Sequence, residues 1–387
     1  MAAQMAAPAF DADRLKRTIS MVEPHVFDGD RLRLARVAKG YTLDDLGGRV
    51  SATRQYLNQL EQGTKLPSEE MIEALAAALG VTSHFFSLSA RGGVSVEQCH
   101  FRKQRTTPVS VVSQVLARGT LLDGFVSRLD QALELPEVSF PDIPVTCTSD
   151  IEIAAKQARE QWQLGTGPIS SMMRVVENAG AVVSFFAGVS ERVDALSIDR
   201  PRPLIIRSEA KPAACRLRFD LAHECGHLVM HKGIVTGDKA TEDQANRFAS
   251  AFLLPRSAFI HEFPRSRMLN WTAIFEMKLR WKVSASAILR RAYDLKILSA
   301  DQYRTGCIHL SKTGQRKFER FDDEIAPEMP ELLPSALVAL EQAYPGAVRR
   351  IADDAGIEGD MFECVAGLGL PERPDHDLTN IIPISGR

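Results

Sequence analysis

Residues 221–231 read Leu-Ala-His-Glu-Cys-Gly-His-Leu-Val-Met-His, and no other stretch restricts the chain as tightly. Histidines four apart share one face of an α-helix, a turn apart, close enough for both imidazoles to reach one cation. Leu221, Leu228 and Val229 give that helix an apolar anchor, Cys225 turns toward the core, and Gly226 removes bulk beside the pair. Neutral imidazole suits zinc, and a catalytic zinc takes three protein ligands and leaves one position to water. Glu224 sits one residue round the helix, where it takes a proton from that water instead of binding the ion. The pattern therefore predicts His223 and His227 as ligands of Zn2+, with Mn2+ as the alternative, and Glu224 as general base.

A third ligand is expected from a neighbouring helix, and Glu242 in TEDQANRFASAFLLP is the best placed, with Asp243 and Asp238 in reserve. Thr241 and Gln244 make a capping-box pattern there, and Ala245, Phe248, Ala249, Phe252 and Leu253 form the buried stripe. Asn246, four residues beyond Glu242, shares its face and could orient a ligand from behind. His231 approaches the rim of the site, although a helix-end histidine interacting with the dipole is the plainer reading.

The rest of the chain sets the context. A length of 387 residues suggests two or three domains, and 45% hydrophobic with 25% charged residues is ordinary for a globular protein. The formal net charge of −2 excludes a polycation, so any nucleic-acid contact must be local. Six cysteines without a C-x-x-C pair argue against a disulfide framework and against a cysteine-built zinc site. Asp11 and Asp13 interrupt the Ala-rich start before a signal-peptide core forms, and no run reaches about 18 uninterrupted apolar residues. No membrane contact is expected, and the cytoplasm is the default compartment.

Residues 1–27 read as a flexible tail. From 28 to 90 the pattern is all-helical: RLRLARVAKG stops at Gly40, Thr42 caps TLDDLGGRV, Thr53 caps TRQYLNQLEQG and Ser68 caps SEEMIEALAAALG. Residues 91–149 form a connector. It holds a basic cluster (Arg91, Arg102, Lys103, Arg105, Arg118) read as a solvated surface, then a helix, then the Pro-rich linker 136–144. From 150 to 300 the texture is mixed α/β, with strands expected in AVVSFFAGV, ALSI and RPLIIRSE. Residues 301–387 are helical, proline-punctuated and without an evident role.

RLRFDLAHECGHLVMH followed by EDQANRFASAFLLP resembles the ImmA/IrrE family of metallopeptidases, over roughly residues 150–300. The resemblance implies a zincin-like α+β domain with His223, His227 and Glu242 as ligands and Glu224 as base. Residues 28–90 are similar to the XRE-type, lambda-repressor-like helix-turn-helix module. That likeness makes TRQYLNQLEQG the recognition helix and Thr53, Arg54, Gln55, Asn58 and Gln59 the DNA-binding positions. The sequence departs from that module at Leu43, where a glutamine is usual, and at Ser51, where a glycine is usual. Together the resemblances imply a stress- or signal-responsive regulator that binds double-stranded DNA and cuts a partner repressor, with a homodimer on paired half-sites. A non-proteolytic transcription factor and an antitoxin-like repressor are the competing readings. The strand around Pro203 to Arg207 is the expected docking edge for an extended substrate.

Overall fold

The computed structural model describes residues 26–88, 93–94, 98–103, 108–186, 193–208 and 213–371. The N-terminal tail up to residue 25, Arg91 and Arg105 lie outside the described residues.

Local capping chemistry builds the first four helices: α1 (Gly29–Lys39), α2 (Leu43–Val50), α3 (Arg54–Glu61) and α4 (Glu69–Leu79). Asp28, Thr42, Thr53 and Ser68 each accept a backbone N–H of the turn that follows. Thr42 and Asp45 close a reciprocal capping box. Leu32, Leu46, Leu57, Leu60, Leu75 and Leu79 point inward, and Arg36 forks onto both carboxylate oxygens of Glu61 at 2.6 and 3.0 Å. The α2–α3 turn passes through Ser51 at φ 53°, a left-handed conformation that explains why glycine is usual there.

A four-stranded sheet divides the molecule. Its strands are β1 (Cys99–Lys103), β2 (Val182–Phe186), β3 (Val193–Ile198) and β4 (Leu204–Ser208), in the order β1-β3-β4-β2. β2 runs parallel to β4, and β3 is antiparallel to both β4 and β1. Side chains alternate between two cores, as the pleat requires. Leu196, Ile198, Leu204 and Ile206 enter one core, and Val183 and Ile205 the other.

The first core joins the four N-terminal helices to α5 (Val109–Ala132) and to the C-terminal helices α14 (Leu332–Ala343), α15 (Ala347–Asp354) and α16 (Gly359–Ala366). The C-terminal helices α14–α16 thus pack beside the N-terminal ones. Val81 bridges Ile357, the Thr82 N–H donates to the Gly356 carbonyl, and Lys39 pairs with Asp360 at 2.9 Å. Among the described residues α5 is the one helix long and apolar enough to cross a membrane, although polar residues interrupt its apolar run. Ten of its residues are buried between helices and sheet. Burying each of Leu122, Phe125 and Leu129 contributes roughly 1.5–3 kcal/mol.

The second core holds α6 (Thr148–Gln161), α7 (Met172–Asn178), α8 (Ala214–Met230), α9 (Lys239–Leu253), α10 (Arg256–Glu262), α11 (Trp271–Trp281), α12 (Ala285–Asp294) and α13 (Ala300–Lys312).

Three expectations need correction. Arg118 is not part of a solvated basic surface: it is buried, and its Nε donates to the Ala38 carbonyl at 2.9 Å, satisfying the C-terminal end of α1. Arg102 and Lys103 belong to β1, where a strand was not anticipated. Segment 136–144 lacks regular structure but is pinned along its length. Ser139 N–H donates to Ala179 and Ile143 N–H to Val229, while Trp162 and Arg202 donate to the Ser139 and Pro136 carbonyls.

Candidate metal centre

Helix α8 is buried on every side from Asp220 to Met230, as suits a helix that runs beneath a sheet and between other helices. Its Gly226 lets α9 come close, since a Cβ there would stand 2.9 Å from Phe248 Cδ1 and 3.1 Å from Phe248 Cβ. That approach brings Glu242 across to the histidines. Its Oε2 lies 3.3 Å from His223 Nε2 and its Oε1 3.4 Å from His227 Nε2, while the two Nε2 atoms are 3.1 Å apart. Among the described residues this is the one trio of His, Cys, Asp or Glu side chains whose ligand atoms converge, all within 4.8 Å.

Hydrogen bonds behind the trio fix which nitrogen faces it. Asn246 Oδ1 lies 3.1 Å from His223 Nδ1 and accepts its proton, leaving Nε2 with a lone pair. A longer chain serves His227. Gln244 Oε1 accepts from His231 Nε2 at 2.8 Å, so His231 Nδ1 accepts from His227 Nδ1 at 2.9 Å, and His227 Nε2 again presents a lone pair. Two lone pairs 3.1 Å apart repel unless a cation lies between them. Burial lowers the His227 pKa to about 4, against the pull of Glu242, so its ring is neutral near pH 7. Burial pushes the Glu242 carboxyl up; protons on the two facing Nε2 atoms would outweigh it and bring it to about 2, and with lone pairs there instead that pull is left to a cation. Two imidazole nitrogens and one carboxylate are a donor set that fits a divalent ion.

Glu224 is fully buried on the same helix, and its Oε2 accepts from Ser197 Oγ at 2.6 Å. His231 is the C-cap of α8, so the helix-end reading holds, but it is buried and forms the link just described instead of lying at the rim. Asp243 lines a separate 300 Å³ cavity together with Asn246. Asp238 is spent as the N-cap of α9, accepting from Thr241 N–H at 2.8 Å. The helix therefore opens at Lys239 and the expected Thr241–Gln244 box is not formed, because Asp238 has taken the cap and Gln244 is bound to His231.

Sequence reasoning missed His100, Ser197 and Gln244 as neighbours of the trio. His100, on β1, is buried with its ring parallel to that of His227 at 4.9 Å, and its Nδ1 lies 2.7 Å from Thr236 Oγ1. Burial, then the neighbouring histidines, lower its pKa to about 3. Nothing in its spacing marks it, since its partners stand more than a hundred residues away.

The strand expected to dock an extended substrate is an inner one. β4, which carries Leu204–Arg207 of that segment, lies between β3 and β2, so both of its edges are taken. On the N-terminal module, Thr53, Arg54 and Gln55 are exposed at the start of α3, with Asn58 and Gln59 half-buried on the next turn. Thr53 is itself the N-cap of α3, and Arg54 reaches Asp44 at 3.3 Å on the surface. Leu43 packs on the rim of the first core.

Residues 29–84 match the family described as helix-turn-helix domain, and residues 176–293 match the family described as IrrE N-terminal-like domain. Over 55 residues the chain is 38% identical to the HTH-type transcriptional regulator DdrOP3 of Deinococcus deserti, covering 14% of this chain and 43% of that protein. Over 51 residues it is 39% identical to the transcriptional regulator ClgR of Mycobacterium tuberculosis, covering 13% and 46%. The chain thus spans less than half the length of these relatives, and β1 lies outside both family matches. By its domains, this chain is similar to helix-turn-helix proteins through residues 29–84 and to IrrE-like, metallopeptidase-type proteins through residues 176–293, and neither match covers half of it.

Proposed function

We propose that the chain is a cytoplasmic DNA-binding regulator whose IrrE-like domain is a zinc-dependent endopeptidase, cutting a partner repressor in response to stress or another signal. The observation that carries this reading is the convergence of His223, His227 and Glu242 from two helices, with Glu224 one residue along and oriented by Ser197. When bound, the divalent ion supplies Lewis acidity toward a carbonyl and lowers the pKa of water. Asn246, His231 and Gln244 keep the ligand nitrogens facing it, and Glu224 takes the proton from water and hands it to the departing amine. Thr53, Arg54, Gln55, Asn58 and Gln59 meet double-stranded DNA through the start of α3, in a homodimer on two half-sites.

Metal content of the purified protein, compared with His227→Ala, tests the centre. Incubation with a repressor encoded beside this chain tests the activity: the zinc-loaded protein cleaves it and Glu224→Gln does not.

Burial favours a second reading. His223, Glu224 and His227 are all closed to solvent, which suits a metal-sensing transcription factor or antitoxin-like repressor that never cuts. In that case Glu224→Gln leaves regulation intact, whereas Asn58→Ala abolishes it.

A further inference from the structure

One route for an extended peptide to the trio runs along the sheet edge that lies over α8. β2 forms the far edge and is covered by α16, where Ser184 Oγ donates to the Val365 carbonyl at 3.1 Å. The near edge is the outer side of β3, the strand whose Ser197 holds Glu224. That side is occupied by β1, paired antiparallel with His100 opposite Ser197. Residues directly opposite on paired strands face the same way. His100 therefore comes down onto α8 beside Glu224, with its ring against His227.

The structure assigns the outer edge of β3 as the docking edge for an extended segment of a partner protein, and β1 as its resident internal occupant, so that the described form is the closed one. The inference rests on the metal-centre reading above. With β1 in place His223, Glu224 and His227 are fully buried, and only Glu242, its side chain 23% exposed, opens outward. Thr236, in the loop between α8 and α9, clasps His100. Next to it Ile234 and Val235 are 47% and 64% exposed, apolar side chains suited to a peptide lying along the edge.

The occupant is held imperfectly. His100 Nε2 is buried without a hydrogen-bond partner, and the pairing of β1 breaks register at Arg102/Lys103. An orphaned polar atom and a bulge both weaken a strand's hold relative to a fully satisfied one. A peptide that brings a carbonyl to this place can therefore compete for the edge by strand addition.

Strand chemistry supplies the test. Asp199 N–H donates to the Gln98 carbonyl, so by the alternation of antiparallel ladders His100 and Arg102 exchange backbone bonds with β3, and Cys99 and Ile198 form the intervening close pair. Close pairs lie about 4.5 Å apart between Cα atoms, within the span of a disulfide. Ile198→Cys opposite the native Cys99 then gives a lock that dithiothreitol opens, and Arg102→Pro removes one rung.

The full-length chain is loaded with Co2+, and the visible absorption band is followed on adding a tripeptide hydroxamate with apolar side chains. The expected result is association slowed on the order of ten-fold or more in oxidised Ile198→Cys relative to the same protein reduced, and quickened in Arg102→Pro relative to wild type. Equal rates in the locked and unlocked forms overturn the inference, whatever the folding of Arg102→Pro. A chain that takes up no Co2+ overturns the metal reading and this inference with it, and the missing cobalt band distinguishes that outcome from a failure of the strand alone.

Discussion

Replacing Gln244 by alanine removes the outermost link of the chain that ends at His227 Nε2, two hydrogen bonds from the ligand atom. In the wild type the Gln244 oxygen keeps the proton of His231 on Nε2, so that its Nδ1 can accept from His227. Without that acceptor the His231 ring is free to carry its proton on Nδ1 and donate to His227, whose own proton then moves to the nitrogen facing the ion. Loss of an orienting partner behind a ligand costs about 10–100-fold in metal affinity, or roughly 1.4–2.7 kcal/mol. Competition against a chromogenic chelator at pH 7 reads this directly. Gln244→Glu keeps an acceptor at the same atom and is expected to stay within a few-fold of wild type. The reasoning is refuted if Gln244→Ala holds zinc as tightly as wild type, or if Gln244→Glu is as weak as alanine.

Gly226→Ala places a methyl against Phe248 and is expected to cost about 1–3 kcal/mol in denaturant unfolding, with weaker metal retention as α9 is pushed away; unchanged stability would show that the helices can part freely. Ser51→Gly relieves a left-handed serine and should raise unfolding stability by about 1 kcal/mol. Glu177 is buried and caps α14 through the Glu331 and Leu332 N–H groups, and burial lifts its pKa from 4.5 to about 7. Because the folded value lies above the unfolded one, its contribution is fully present below about pH 4.5 and falls as pH rises through about 7. The stability of wild type relative to Glu177→Gln should therefore decline between pH 5 and 8 on chemical denaturation, and a gap that does not vary with pH would contradict this.

Much of the architecture was legible where the controlling interactions are local. The caps Thr42, Thr53 and Ser68 act within three residues of themselves, and each opens its helix where expected. His223, Glu224 and His227 share one helix by spacing alone, so only the approach of Glu242 had to be supplied by packing. Long-range partners left no such mark. Arg118 belonged to a basic run until Ala38, eighty residues earlier, took its Nε. Gln244 stood three residues after a threonine and imitated a cap, while its real partner was His231. β1 is short, follows no clean alternation and becomes a strand because β3 offers it an edge.

The core shared by the helix-turn-helix, α5, the sheet and the C-terminal helices has a consequence for target choice under the proposed function. Helix α3 and the metal-site helix α8 are carried by one continuous packed body, so the bearing of the active centre from the major groove is set by the fold and not by a tether. A partner seated on the same duplex would be reached only at certain offsets, and the number of base pairs between two operators would become as much a determinant of cleavage as the residues around the scissile bond.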